Sequence, residues 1–516
     1  MNDGPSRRFE TCLVALAAAA SLGWATNWNA PPRFDGAGYV ILGRAIFEGR
    51  GYRAIDHPDQ PDHAHFPPAY PLALAAVRSV AGDGLWAIHL FSVLCAVAAT
   101  VAAHRWFHLL FGHRVALVLG LALAINWVWT RMGGGIQSEP LFVLLSQLAI
   151  LAAWSSRRAD DPKVAILLGG LLGAAILTRH VAIALTVAVF IDLALSRRWR
   201  NLWITASCAA ALVAPWIAWI LWVSARNGVK NQVDLLSFRE GGILSRIGGQ
   251  ILFYAQRIPD QITGPFVEVA TVLRPTMFLS NLANTWAISA GLLIALGWFR
   301  LMRRPKSRLA GLIPMATLSL LIFWPFTEAG RFLVPILPCL LIGGVEGLSW
   351  LIRLALPGAR RSRRRLAASV FLLALTLPYS MYDLAKGRSR IPSISQIEFD
   401  EACSWIAEQD ASAHPGPVLT RHPAEVFLQT GRRALDVSTS ERVGSRDAEP
   451  EEIAEIIARY HVAYLLIDEG RYLNAPPSPL ARFVRDRAEQ VRKVWSRESS
   501  LGSVSIYEIQ GPRSVR

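Results

Sequence analysis

Apolar runs of the length of a membrane-spanning helix recur as far as about residue 385, and they restrict the possible folds more than any other feature of the sequence. A spanning helix needs about 20 predominantly apolar residues. By this rule the sequence predicts about eleven transmembrane helices, at approximately residues 11–28, 85–106, 115–131, 138–155, 164–178, 180–195, 202–223, 284–299, 309–326, 332–352 and 366–382. With 53% hydrophobic residues and a mean hydropathy of +0.33, the chain is predicted to be an α-helical polytopic membrane protein and not a soluble one.

Lys and Arg residues give the chain a formal net charge of +15 and cluster in short segments between the apolar runs. A nucleic-acid-binding protein would gather them on one folded face, so no nucleic-acid partner is expected. The clusters fall in alternate loops, which the positive-inside rule places in the cytoplasm. The prediction is therefore a plasma (inner) membrane protein with a cytoplasmic N-terminus and with outer loops at 29–84 and 224–284. The first apolar run could be a cleaved signal peptide, but its length favours a retained span.

The last part of the chain, residues 386–516, has the pattern of a soluble domain, whereas residues 1–385 form the transmembrane domain. Helical patterns at 395–408, 450–461 and 480–490 alternate with β-type runs at 418–420, 434–437, 462–468, 491–495 and 504–509. This alternation predicts a small C-terminal α/β domain with a mostly parallel sheet and a closing hairpin. An odd number of spans makes the domain extracytoplasmic. We expect it to have a structural or acceptor-presenting role.

The polar segment between the first two predicted spans is a candidate wall of an active site. Asp35 is followed by Gly36 and Gly38, small residues that leave its carboxylate accessible, and by Tyr39, whose ring is of the kind that stacks on sugars. The prolines of residues 67–71 stiffen the return of this segment toward the membrane. A rigid segment can hold a carboxylate against an acceptor hydroxyl, as general-base catalysis requires. Asp35 is therefore the predicted catalytic base, and a merely solvated acid is the alternative.

Two histidines in the same segment, His63 and His65, are candidate ligands of a divalent metal ion. They are separated by one residue, so in an extended strand they would share a face. A carboxylate from Glu139 or Asp35 could complete such a site. The alternative is a pair of solvated loop histidines. No cofactor other than this possible metal ion is predicted.

The other candidate residues lie where predicted spans meet the outer surface. Glu139 follows three consecutive glycines, which permit close approach of the backbone to a ligand, although an acid there also fits a simple helix start. An arginine at the membrane surface is costly unless it is paired, and its planar fork suits phosphate oxygens. The predicted substrate-binding residues are Tyr39, Tyr70, Glu139, Arg179, His180, Glu328 and Arg331. Pairing with Glu328 or with a lipid headgroup is the alternative role for Arg331.

Together these features resemble the GT-C superfamily of membrane glycosyltransferases, in particular the branch with the protein O-mannosyltransferases, the lipid A aminoarabinose transferase and related bacterial lipopolysaccharide sugar transferases. The resemblance is carried by Asp35 with Tyr39, Gly49-Arg50-Gly51-Tyr52, Pro67-Pro68-Ala69-Tyr70-Pro71, Ser138-Glu139 and Arg331-Phe332-Leu333-Val334-Pro335 with Pro338. It implies transfer of a sugar from a polyprenyl-phosphate donor on the outer face, with an acid of the first outer loop as the base. The O-mannosyltransferases have adjacent acids in this loop, whereas here Gly36 follows Asp35, which leaves metal dependence and acceptor class open.

The predicted function is transfer of a sugar from a polyprenyl-phosphate-linked donor to an acceptor hydroxyl, with inversion at the anomeric carbon. The acceptor could be a lipid, a glycan or a protein, and membrane lipids are expected partners. A transporter or flippase of lipid-linked sugars is the alternative, since it would use the same polar residues for binding alone. Transporters often contain internal repeats and paired ionisable residues near the membrane midplane, and the sequence has neither feature.

Overall fold

A computed structural model describes residues 5–158, 160–227, 243–273, 275–324, 330–387, 394–410, 414–437, 449–469, 478–499 and 502–510. Helices form most of this part of the chain. They are α1 (Pro5–Ala25), α2 (Asp35–Phe47), α3 (Ala69–Ala81), α4 (Leu85–Phe111), α5 (His113–Ile125), α6 (Trp127–Gly133), α7 (Glu139–Arg158), α8 (Pro162–Thr178), α9 (Ala182–Leu195), α10 (Trp199–Asn227), α11 (Ile243–Thr263), α12 (Phe266–Glu268), α13 (Met277–Met302), α14 (Leu309–Phe323), α15 (Leu337–Ala355), α16 (Arg361–Lys386), α17 (Ile394–Glu408), α18 (Pro423–Thr430), α19 (Pro450–Tyr460) and α20 (Pro479–Asp486).

Six helical segments in the described residues are long and apolar enough to cross a membrane, and the bent pair α5 and α6 makes a possible seventh. The six are Leu85–Phe111, Glu139–Arg158, Trp199–Arg226, Met277–Met302, Arg331–Ala355 and Arg361–Lys386. The chain is thus a multi-pass membrane protein, but the predicted number of eleven spans is not confirmed. Helices α8, α9 and α14 form where three further spans were predicted, and they are shorter than the usual minimum. Helix α1 forms at the first predicted span and is not among the candidate spans.

The bend between α5 and α6 is 57° and occurs at Asn126. The Asn126 side chain accepts hydrogen bonds from the backbone N–H groups of Val128 and Trp129, so it caps α6. Its amide also donates to the carbonyl of Gln261 in α11, at 2.7 Å. The break in the helix is therefore stabilised on both sides by one buried side chain.

The segment predicted as the first outer loop contains two helices, α2 and α3, in place of a continuous irregular chain. Between these helices lies an irregular segment, residues 48–68, in which Arg53 and Asp62 pair as an isolated antiparallel β-bridge. The ring of Tyr39 packs against Phe66 and Tyr70, which joins α2 to the start of α3. This small aromatic core holds the first turn of α2, and therefore Asp35, close to the membrane domain.

Apolar residues at helical spacing around residues 243–258 predict an amphipathic helix on the outer membrane surface. Helix α11 forms at this position, and its polar side chains face inward. Gln250, Arg257, Asp260 and Gln261 are buried, whereas Ile251 and Leu252 are about half exposed. The helix packs against α13, α14 and α16. Since an interfacial helix would turn its polar face to water, packing within the protein describes α11 better than the predicted position on the membrane surface.

The C-terminal domain has a five-stranded sheet covered by helices, as the alternating pattern predicts. Its strands are β1 (Val418–Thr420), β2 (Ala434–Asp436), β3 (Tyr464–Glu469), β4 (Val491–Ser499) and β5 (Gly502–Ile509), in the order β2-β1-β3-β5-β4. Strands β2, β1 and β3 are parallel, and β5 joins β3 to β4 by antiparallel pairing. The α/β pattern and the closing hairpin are therefore as predicted, but only two of the four strand pairings are parallel, so the sheet is mixed and not mostly parallel.

The two ends of the helical bundle carry different charges. At one end a buried acid, Glu346, is paired with four arginines at or near the end of α13 and in the first turns of α16. The paired arginines are Arg300, Arg304, Arg361 and Arg365. The opposite end, where α7 begins and α8 ends, carries the predicted site residues and is called the site end below.

Candidate active site

Four predicted site residues lie at the ends of different elements, which brings them together at the site end. Asp35 is the first residue of α2, and Glu139 is the first residue of α7. Arg179 directly follows α8, and Arg331 begins the short 3-10 helix that leads into α15. Because these four positions lie at the same end of the bundle, their side chains can contact one another.

Arg331 connects the two carboxylates of this group. One of its Nη atoms lies 2.8 Å from Oδ2 of Asp35, and its Nε donates a hydrogen bond to Oε1 of Glu139. The same guanidinium also donates to the side-chain oxygen of Gln137, at 2.9 Å. The same Oε1 of Glu139 also accepts a hydrogen bond from Nη1 of Arg179 at 2.8 Å, and this nitrogen donates to Oγ of Ser138 at 2.9 Å. The result is one network in the order Asp35–Arg331–Glu139–Arg179.

The two acids of the network differ in exposure. The Glu139 side chain is fully buried, and that of Asp35 is 35% exposed. A buried carboxylate between two guanidinium groups is held as an ion-pair partner, because removing either charge would leave the other unpaired. Asp35 has only one of these arginines as a partner and keeps an accessible face. Of the two acids, Asp35 is therefore the one that a substrate hydroxyl can reach.

Glycines set how closely α2 approaches the rest of the site. A Cβ atom on Gly36 would lie 2.3 Å from the carbonyl oxygen of Ile136, and one on Gly38 would lie 2.9 Å from the ring of Phe66. Only glycine permits these contacts. The glycines before Glu139 have a similar role, because a Cβ atom on Gly133 or Gly134 would overlap Leu22 or Thr26 of the first helix and its end. Gly133 and Gly134 are therefore needed for close approach to α1 and the residues that follow it, whereas approach of a ligand to this segment stays a prediction.

Tyr39 and Tyr70 lie behind the charged network. Both are buried, with 3% and 1% of their surfaces exposed. Burial raises the pKa of Tyr39 to about 12, so its hydroxyl stays protonated. Ser138, the residue before Glu139, donates a hydrogen bond to this hydroxyl at 3.2 Å and so connects the aromatic core to the charged network. In this conformation the two rings support the site from behind, and neither presents an open face to a sugar.

The remaining predicted residues lie at the edge of the site or outside the described chain. The rings of His63 and His65 are 6.4 Å apart and perpendicular, and Nε2 of His63 accepts a hydrogen bond from the backbone N–H of Phe66. Burial lowers the pKa of His63 to about 3, so this ring is neutral. Within the described ranges, no three His, Cys, Asp or Glu side chains gather as a metal site requires. His180 accepts from the indole of Trp216 at 3.5 Å, and Glu328 lies outside the described residues.

Arg257 of α11 is a candidate that sequence reasoning missed. It is only 6% exposed, its nearest acids are Asp260 and Glu268 at 4.0 and 3.9 Å, and its Nε and Nη1 atoms form no hydrogen bond within the described residues. One turn further along the helix, Gln261 contacts Gly330, the residue before Arg331. The sequence does contain a pattern that could have revealed Arg257. Gln250, Tyr254, Arg257 and Gln261 are four, three and four residues apart, so they lie on one face of a helix.

Comparison with known proteins gives matches of two kinds. Residues 62–222 match the family described as dolichyl-phosphate-mannose-protein mannosyltransferase. No curated protein gives a significant match. Among solved structures, the archaeal oligosaccharyltransferase AglB from Archaeoglobus fulgidus, in complex with an inhibitory peptide and a dolichol-phosphate, superimposes with a TM-score of 0.55 at 13% identity, over 89% of this chain and 69% of its own.

A second solved structure matches along nearly the whole chain. ArnT from Cupriavidus metallidurans, bound to undecaprenyl phosphate, superimposes with a TM-score of 0.51 at 14% identity, over 98% of this chain and 99% of its own. The extent of this match includes the C-terminal domain as well as the bundle. The predicted resemblance is confirmed: the chain has the fold of the GT-C superfamily of membrane glycosyltransferases.

Proposed function

We propose that this protein transfers a sugar from a polyprenyl-phosphate-linked donor to an acceptor hydroxyl, with Asp35 as the general base. The main observation behind the proposal is the ion pair between Asp35 and Arg331, at 2.8 Å. The Asp35 side chain is partly exposed, whereas the neighbouring Glu139 is fully buried. The fold agrees with glycosyl transfer from lipid-linked donors, because the similar proteins AglB and ArnT were solved with a dolichol-phosphate and with undecaprenyl phosphate.

The reaction requires one proton transfer and one displacement at carbon. Asp35 takes the proton of the acceptor hydroxyl while that oxygen forms a bond to the anomeric carbon. The bond between this carbon and the phosphate oxygen breaks, and the polyprenyl phosphate leaves with the electron pair. A direct displacement inverts the configuration at the anomeric carbon. Base catalysis of this kind contributes roughly 10²- to 10⁴-fold, and the rest of the acceleration comes from orientation and from electrostatic stabilisation of the phosphate.

Two arginines are suited to hold the phosphate. Arg331 lies next to the partly exposed Asp35 and is itself 15% exposed, and Arg257 has two buried nitrogen atoms without a hydrogen-bond partner in the described chain. A buried guanidinium with open N–H groups is stabilised by an anion that accepts its hydrogen bonds, and its fork geometry matches phosphate oxygens. Arg179 is held by Glu139 and Ser138, so we assign it to fixing Glu139. His180 stays a predicted substrate contact.

A metal ion at His63 and His65 stays a prediction. The two rings share no carboxylate ligand in the described residues, and one ring nitrogen of His63 is used in a hydrogen bond to the backbone. No step of the mechanism above depends on a metal. Measuring transfer after treatment with EDTA, and again after adding back a divalent ion, tests the prediction directly.

The arrangement of charges supports the proposed orientation in the inner membrane. The end of the bundle opposite the site carries the arginines around Glu346, and loops rich in arginine remain in the cytoplasm. The site end and the C-terminal domain would then face the outside, where the sugar would be transferred to a lipid, a glycan or a protein.

The test is transfer of a radiolabelled sugar from polyprenyl-phosphate donors to a membrane extract, with purified wild-type protein and the Asp35→Asn variant. We expect label in a new product only with the wild type, because the amide cannot take the proton. Since Asp35 is partly exposed, the variant should insert and fold normally, which its melting temperature would verify. Near-normal transfer by folded Asp35→Asn would refute the assignment. Donor binding by both proteins without any product would favour a transporter of lipid-linked sugars.

A further inference from the structure

The C-terminal domain contacts the chain at the two residues directly before Asp35. Arg33 donates hydrogen bonds to Oε2 of Glu425 at 3.0 Å and to the carboxylate of Asp400 at 2.6 Å. The backbone N–H of Phe34 donates to Oε1 of the same Glu425, at 3.0 Å. One carboxylate of the C-terminal domain therefore accepts from both residues that precede the predicted base.

The backbone of Phe34 has a conformation that a residue with a side chain rarely adopts. Its φ is 50° and its ψ is −129°. Positive φ places Cβ close to the backbone, and this combination of angles is populated mainly by glycine. A strained residue keeps such a conformation only when surrounding contacts hold it there. In this molecule, the hydrogen bond from the Phe34 N–H to Glu425 is a contact of that kind.

Glu425 is itself held firmly. Only 2% of its side chain is exposed, and it lies in the first turn of α18. Three apolar residues of this helix, Ala424, Phe427 and Leu428, pack against Ile41 and Ala45 of α2. Helix α18 and helix α2 are thus packed together, so the position of Glu425 relative to Asp35 is set by an apolar contact and not by the hydrogen bonds alone.

Asp35 is restrained from its other side as well. Gly36 lies against the carbonyl of Ile136, in the loop that leads to Glu139. The backbone on one side of Asp35 is therefore fixed by the membrane domain, and the backbone on the other side is fixed by the C-terminal domain. A displacement of about 1 Å at a reacting group can reduce the rate about 10²-fold.

We propose that Glu425 is a positioning residue that holds Phe34 in its strained conformation and so directs the Asp35 carboxylate toward the acceptor hydroxyl. The inference rests on the proposed function of Asp35. It gives the C-terminal domain a part in the site in addition to the structural or acceptor-presenting role expected from the sequence.

The experiment compares Glu425→Ala with a variant that removes a different contact between the domains. Tyr460→Phe is the matched control, because the Tyr460 hydroxyl donates to Asp59 at 2.6 Å, away from Phe34. We expect Glu425→Ala to lower kcat by about 10²-fold with little change in KM for the donor. Tyr460→Phe should leave both constants unchanged. A loss of the same size in the two variants would mean that any weakening of the domain contact is sufficient, and it would overturn the proposal.

A second substitution separates positioning from simple attachment of the domain. Glycine adopts positive φ without strain, so Phe34→Gly in the Glu425→Ala background should restore at least about tenfold of the lost kcat. Phe34→Gly alone should stay close to wild type. If Phe34→Gly alone is active but gives no recovery in the double variant, Glu425 does not act through Phe34 and the proposal fails. If Glu425→Ala does not fold, Glu425→Met replaces it in the same comparison, because it keeps the length of the side chain and has no oxygen to accept from the Phe34 N–H.

The two proposals can fail separately. Inactive Asp35→Asn together with fully active Glu425→Ala would overturn the role of Glu425 and leave the proposed function in place. Active Asp35→Asn would overturn the proposed function, and the role of Glu425 would fall with it.

Discussion

Two carboxylates that share Arg331 lie in different surroundings, and the proposed function assigns them different roles for that reason. Glu139 is fully buried between Arg179 and Arg331, whereas Asp35 is 35% exposed. Removing one partner of a buried ion pair typically costs about 3–5 kcal/mol, because a charge is left without compensation. Glu139 is therefore needed to keep the arginines in place. Asp35 keeps an accessible face beside Arg331.

Arg257 allows the phosphate assignment to be tested by direct binding. Each charge-assisted hydrogen bond contributes about 1.5–3 kcal/mol, so Arg257→Gln should weaken binding of undecaprenyl phosphate by at least about tenfold. Arg303→Gln is the control, because Arg303 is exposed and belongs to the arginine-rich end opposite the site. Titration of the purified proteins with undecaprenyl phosphate, followed by native mass spectrometry, measures the difference. Equal affinities for the two variants would exclude Arg257 from the phosphate site.

At the scale of elements, the first turn of α2 depends on contact with the loop that leads to α7. The sequence predicted Asp35 as a residue of the first outer loop, because the segment around it is polar and lies between apolar runs, and it assigned Gly36 and Gly38 only the role of leaving the carboxylate accessible. In the structure both glycines are helical and are required by close approach to Ile136 and Phe66. The low helix preference of glycine is overridden by packing with residues about 100 and 30 positions away, which a reading of local pattern cannot detect.

Gly36→Ala tests whether this contact positions Asp35. Alanine favours helix, but its Cβ would lie 2.3 Å from the carbonyl oxygen of Ile136, so α2 must shift away from the loop. We expect kcat to fall at least about tenfold in a protein that still folds. The matched control is Gly170→Ala in α8, where a Cβ atom has open space. If both variants turn over at the wild-type rate, the close approach of α2 is not needed for catalysis.

The sequence predicted the residues that meet at the site better than it predicted the elements that carry them. Asp35, Glu139, Arg179 and Arg331 are charged residues next to long apolar runs, and alternation of the spans places them at one membrane surface. Arg257 was missed because the amphipathic pattern of α11 fits a helix on the membrane surface as well as a packed helix with its polar face inside. The hydrophobic pattern of a sequence predicts an amphipathic helix, but whether its polar face points to water or into the protein depends on tertiary packing.

At the scale of the whole molecule, the C-terminal domain contacts residues 56–59 in addition to Arg33, Phe34 and α2. The carbonyl of Asp56 accepts a hydrogen bond from the N–H of Ala434 at 2.9 Å. Burial raises the pKa of the Asp56 carboxyl to about 6, and the nearby acid Asp436 contributes in the same direction. Folded protein therefore holds this proton at pH values where the unfolded chain has already released it.

The pKa shift predicts the direction in which stability changes with pH. An acid with a raised pKa contributes its full stabilisation below its unfolded pKa of about 3.9, and loses it as pH rises through about 6. Asp56→Asn has no proton to lose, so its melting temperature should exceed that of wild type at pH 7.5 and approach it near pH 4.5. Melting curves of both proteins across this range measure the effect. Asp83→Asn is the control, because Asp83 is largely exposed. If the melting temperatures of Asp56→Asn and wild type differ by the same amount at every pH, the assignment is wrong.

The hydrogen bond between Phe34 and Glu425 also has a consequence for biosynthesis, because it joins residues separated by 391 positions along the chain. The ribosome makes the residues around Asp35 early and α18 close to the end. If Glu425 directs Asp35, a nascent chain could insert most of its helices before it gains full activity. Full activity would then arise only in copies whose synthesis had reached the last quarter of the chain and whose C-terminal domain had folded against α2.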